Sequence, residues 1–166
     1  MSKLIALALA AVMTVGAAPP AEDGIPGSLQ GSWRMEEAYE RHADGSLTHN
    51  YGLHPQGLMM VDAAGRYSIQ IFRPDRAPFR SGDKTTGEPV EYRDAALGSS
   101  THFGTVRIDP LHHQLVFTVE AASFPNWNGK TQLRDFTYRD GLLSYAVPAS
   151  ASGNGTIAYS VWRRIG

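Results

Sequence analysis

Gly31-Ser32-Trp33, near one end of the sequence, and Val161-Trp162-Arg163-Arg164, near the other, make joint sense only if the strands that carry them pair. An open antiparallel sheet leaves a row of unpaired N–H and C=O groups on each edge strand. Closure into a barrel removes both edges and makes the first and last strands neighbours. A tryptophan beginning the first strand and an arginine ending the last then meet at the floor. There the Arg164 guanidinium covers the Trp33 indole face as a cation–π lid.

Between these ends the sequence reads as strands. Trp33, Met35, Glu37 and Tyr39 alternate with Arg34 and Glu36, the period of a half-buried strand. Asp44-Gly45-Ser46 is a turn, and Asp62-Ala63-Ala64-Gly65 joins strands predicted at 58–61 and 66–72 into a hairpin. Further strands are predicted at 103–108, 115–121, 132–138, 142–147 and 156–162. Turns separate them at Asp109-Pro110-Leu111-His112-His113, at Arg139-Asp140-Gly141 and across 148–155. That makes about eight strands in sequential order. No repeated helices are present to make parallel crossovers, so the expected fold is all-β, an up-and-down antiparallel barrel. One short helix interrupts the series: Pro89 suits a first helical turn, acidic residues flank it, and Gly98 can stop it. It either crosses the barrel mouth or packs as structure.

The 166 residues are 42% hydrophobic and 19% charged, with a formal net charge of −1 and no cysteine. This balance gives no electrostatic reason to expect nucleic acid or an anionic membrane as partner. Disulfides and thiolate chemistry are excluded. Residues 1–17 read as a cleaved signal peptide: Lys3, a short apolar run from Leu4 to Val15, then Val15-Gly16-Ala17 at the cleavage point. The apolar run falls short of the roughly 20 residues needed to span a bilayer, so stable membrane insertion is not expected. Residues 18–27 read as a leader and 28–166 as one barrel domain. The expected location is periplasmic or secreted.

Several blocks carry a family resemblance. Leu29-Gln30-Gly31-Ser32-Trp33-Arg34-Met35, Pro55-Gln56-Gly57-Leu58, His102-Phe103-Gly104-Thr105, the distinctive Phe124-Pro125-Asn126-Trp127 with its continuation to Phe136, and the terminal Trp162-Arg163-Arg164 resemble the bacterial and fungal lipocalin-like domain proteins. The resemblance covers essentially the whole predicted domain. It implies a calycin-type barrel whose interior holds a small ligand; it does not imply a reaction. The chain departs from the family pattern at Phe117-Thr118, where tandem histidines often precede the residue that is here Glu120.

Among candidate site residues Arg134 is the most informative. It alternates in phase with Gln132, Phe136 and Tyr138, and two aromatics on that face point it into the barrel. A guanidinium there needs a carboxylate or a ligand anion to answer it. Glu120 and Glu37 are the candidate partners. The functional reading makes Arg134 a fork of donors for a ligand carboxylate, carbonyl or enolate; the alternative is an ion pair fixing strand register. Trp127 lies either over the opening or in a plug of ordinary core. The six histidines include no chelating pair, since adjacent His112 and His113 would point to opposite faces of a strand. No metal site and no cofactor is expected. Gly-x-Ser-x-Gly elbows and phosphate-binding glycine loops are lacking. The leading expectation is an exported protein that binds a small, largely apolar molecule in the barrel interior, with Arg134, Glu120, Gln132, Tyr138, Glu37 and Trp127 as ligand-binding candidates. The alternatives are a cyclase or isomerase acting on a hydrophobic substrate in the same cavity, or a filled barrel that acts through its loops.

Overall fold

Alternation in the sequence becomes alternation in burial. Along Thr131–Arg139, Gln132, Arg134 and Phe136 are buried while Leu133, Asp135 and Thr137 are exposed. The computed structural model describes residues 27–147 and 156–165. The expected signal segment 1–17, all of the expected leader except Gly27, and the loop 148–155 lie outside the described residues.

The strands are β1 (Gly31–Arg41), β2 (Leu47–Thr48), β3 (Gln56–Val61), β4 (Arg66–Phe72), β5 (Ser99–Asp109), β6 (Gln114–Ala122), β7 (Thr131–Arg139), β8 (Leu142–Val147) and β9 (Ile157–Arg164). They lie in the order β2-β1-β3-β4-β5-β6-β7-β8-β9, and β1 also pairs with β9. That last pairing closes the sheet. Its register sets Trp33 against Arg164, Met35 against Trp162 and Tyr39 against Tyr159. The two-residue β2 only extends β1 outside the ring, so the closed barrel has eight antiparallel strands.

The floor forms as the terminal motifs require. Arg164 Cζ lies 5.9 Å from the centroid of the Trp33 ring, and its Nη1 donates to the Ser28 carbonyl at 3.1 Å. The Trp33 indole N–H donates to the Leu29 carbonyl at 3.2 Å, which draws the segment before β1 under the barrel. Above it the interior is filled by Trp162, Met35, Met59, Tyr67, Ile69, Val106, Leu115, Phe117 and Leu143. Trp33 and Trp162 are both 0% exposed.

Two bulges reset the strand phase. On β1 the register with β9 slips between Met35 and Glu37. One extra residue sends the next inward position to Ala38. On β6 the register with β5 slips so that Phe103 faces Ala121 while Gly104 faces Val119, leaving Glu120 as the extra residue. Gly104 is required there: a Cβ would sit 2.1 Å from the Thr118 carbonyl oxygen.

The one α-helix among the described residues, α1 (Pro89–Leu97), starts as its sequence predicts, with Pro89 in the first turn and a capping box between Glu88 and Glu91. It contacts β5 and buries none of its side chains. The insert that carries it is pinned by an Arg73–Asp94 ion pair and by the Arg73 N–H donating to the Gly98 carbonyl at 2.8 Å.

Candidate functional site

Filling stops partway up the barrel. At the end opposite the Trp33 floor, the ends of β1, β4 and β8 and the starts of β5 and β9 surround a cavity of about 180 Å³. Ile71, Ser100, Val147 and Ala158 contribute to its wall, with Tyr51 from the loop before β3 and Trp127 from the 3-10 turn Pro125–Trp127. Arg134, Tyr145, His102 and Ser160 reach it from the strands and are all buried. A second, more open depression lies at the floor end, against Leu29, His113, Phe136 and Tyr138.

Arg134 is 2% exposed. Its guanidinium carbon lies 4.2 Å from the Phe117 ring centroid and 5.0 Å from that of Tyr145. Nη2 donates to the Gln132 side-chain carbonyl at 2.5 Å, and Nε is buried with no hydrogen-bond partner. No carboxylate among the described residues forms a salt bridge with it. Burial pulls its pKa below the usual arginine value. Aromatic faces, the Gln132 amide and the Tyr145 hydroxyl recover only part of what water gave this charge, and burying an ion costs on the order of several kcal/mol.

His102 stands beside it on β5. Its Nδ1 is hydrogen-bonded to the Tyr67 hydroxyl at 2.8 Å, and its ring meets Trp127 edge to face at 5.6 Å. Burial first, and the Arg134 charge second, pull the imidazole pKa down to about 3. The ring is therefore neutral at physiological pH. Burial pushes the Tyr67 and Tyr145 phenols up, with Arg134 working the other way in both. The Trp162 indole N–H is buried close to the Tyr145 phenol. At the mouth, burial raises the Tyr51 pKa, and the Glu40 charge adds to the shift.

Residues 30–165 match the family model of the lipocalin-like domain. The chain belongs to that family. Among solved structures, a lipocalin-like protein from Bacteroides uniformis is similar at 14% identity and a TM-score of 0.42, covering 84% of this chain and 100% of that one. A mutant of the fluorescent protein UnaG is similar at 16% identity and a TM-score of 0.37, covering 82% and 95%. No curated protein matches the chain.

In this lipocalin-like barrel the expected site residues separate into two groups. Arg134 and Trp127 meet at the cavity, and Gln132 stands behind Arg134 as its hydrogen-bond acceptor. Tyr138 is in phase with them but lies at the floor end, half-exposed, its ring 5.9 Å from Trp33 and edge-on to it. Glu37 and Glu120 are exposed, which corrects their expected place beside Arg134. The β1 bulge turns Glu37 outward, and Glu120 is itself the extra residue of the β6 bulge.

The sequence reading missed His102, Tyr51 and Glu40. His102 was within reach, because it alternates in phase with the apolar Val106 across Gly104. Glu40 was not, since only the bulge brings it to the cavity. Among the described residues no group of three or more His, Asp or Glu side chains is placed to hold a metal ion, and no helix is long and apolar enough to cross a membrane.

Proposed function

We propose that this is an exported binding protein whose barrel takes up a small, largely apolar molecule, oriented by Arg134 at the base of the cavity. One observation carries the reading: a buried guanidinium faces a hollow with no carboxylate to answer it. A protein that used Arg134 only to fix strand register would pair it. Apolar walls supply most of the affinity, at about 25 cal/mol per Å² before entropic costs, and the polar base supplies orientation. The cyclase or isomerase alternative loses Glu120, the carboxylate expected to serve it, because that residue is exposed on the β6 bulge.

The test is titration of the purified protein with small fluorescent apolar probes, followed by competition with non-fluorescent molecules. Saturable micromolar binding that weakens on substituting Trp127 or Tyr145 supports the reading; no binding by any probe overturns it. Export is tested separately. Expressed from its first residue in a bacterial host with an outer membrane, the protein is expected in the periplasmic fraction with a mass lacking residues 1–17. An intact mass in the cytoplasm refutes that part alone.

A further inference from the structure

We propose that the ligand is a compact monocarboxylic acid carrying a single ring, bound as its anion with the carboxylate between Arg134 and the Nε2–H of His102. This deepens the binding reading above and rests on it.

The base of the cavity offers donors. Arg134 has its Nε unmatched, while its Nη2 is taken by the Gln132 side-chain carbonyl. The tautomer of His102 follows from Tyr67. The phenol has one proton to give and His102 Nδ1 as its hydrogen-bond partner, and a phenol O–H is a better donor to an imidazole nitrogen than the reverse. The proton of the neutral ring then sits on Nε2, the nitrogen His102 has left to offer the cavity it lines. A cation and a neutral N–H, held by strand and ring packing, suit a carboxylate. They give an amine nothing to bind.

Size narrows the class. A dry cavity of about 150 Å³ accommodates a benzene ring, and this one measures about 180 Å³. One ring with a short acidic arm fits; a long acyl chain or a multi-ring pigment does not. Tyr51, Trp127 and Tyr145 provide flat or edge-on surfaces for that ring. At the mouth stands Glu40, which forms no salt bridge among the described residues. A second carboxylate on the outer end of the ligand would meet this like charge, so the site favours a monoacid over a diacid.

The experiment is calorimetric titration of the full chain at pH 7.5 with 3-phenylpropanoate, 3-phenylpropanamide, 4-(2-carboxyethyl)benzoate and hexadecanoate. The acid is expected to bind at least tenfold more tightly than its amide and than the diacid, and more tightly than hexadecanoate. In Arg134→Met the acid should weaken far more than the amide and so lose that advantage, and in His102→Phe the acid should weaken severalfold. Should Arg134→Met fail to fold, the four ligands on the unaltered protein still decide the matter. Equal affinity for acid and amide overturns the inference and leaves the binding reading standing. Tighter binding of the diacid or of hexadecanoate overturns the assigned class. Absence of binding by all four, together with failure of the neutral fluorescent probes, overturns both.

Discussion

A guanidinium with no carboxylate beside it works against the fold that holds it. Arg134 sits among Phe117, Tyr145 and Gln132, and an apolar side chain of similar length would fill that space without the desolvation penalty. Arg134→Met is therefore expected to raise the stability of the empty barrel by about 1–4 kcal/mol, read as a higher urea midpoint. A fall would mean that the Gln132 and aromatic contacts outweigh the buried charge, and that Arg134 is there for structure. His102 predicts a pH dependence. The unfolded chain takes up its proton near the ordinary value of 6.5, but the folded imidazole does so only near 3. Between these values the unfolded state binds more protons, so stability falls as pH falls, by about 1.4 kcal/mol per pH unit from this group. Urea midpoints between pH 7.5 and 4.5 should decline less steeply in His102→Phe than in the unaltered protein. Equal slopes would show that the imidazole becomes charged in the folded state.

At the scale of strands and turns, the two bulges decide which side chains reach the cavity. Gly104→Ala would drive a methyl group into the Thr118 carbonyl and toward the Glu120 N–H, 2.9 Å away. Backbone on a paired strand cannot yield as a flexible side chain would. The expected cost is about 1–3 kcal/mol, with weaker ligand binding because His102 lies two residues along the same strand. Thermal unfolding and probe titration measure the two effects; an unchanged melting temperature would mean that the bulge is free to rearrange. The same bulges explain what the sequence could and could not reveal. Along β7 the period of two holds without interruption, so Arg134 and Gln132 were placed correctly from alternation alone. Along β1 it holds as far as Met35 and then fails, exchanging Glu37 for Ala38 and bringing Glu40 inward. An extra residue alters the phase without altering the composition around it, so Glu36 and Glu120 carry no local mark of their role. Helix α1 was legible for the opposite reason. Pro89, the Glu88–Glu91 box and Gly98 are local signals that need no distant partner.

The whole barrel divides its labour along its axis. Strand closure was legible from the two ends of the chain, because Trp33 and Arg164 have to meet for either to make sense there. How far the filling rises was not, since it depends on how large side chains from eight strands interlock. The result is a packed floor and a hollow upper part, the place we propose for the ligand. Substitutions at the two ends should therefore have opposite signatures. Trp33→Ala removes one of the two largest fully buried side chains and should cost about 3–5 kcal/mol, while Arg164→Ala, which removes an exposed partner of that ring and its hydrogen bond to the Ser28 carbonyl, should cost about 1–2 kcal/mol. Both should leave probe affinity near its original value at temperatures where the protein stays folded. Substitution of Trp127 should do the reverse: it is only half-buried on the 3-10 turn, so affinity should fall while the urea midpoint barely moves. Denaturation and titration on the three variants separate these outcomes. Loss of binding in folded Trp33→Ala would show that floor and cavity are mechanically coupled, and that the division along the axis does not hold.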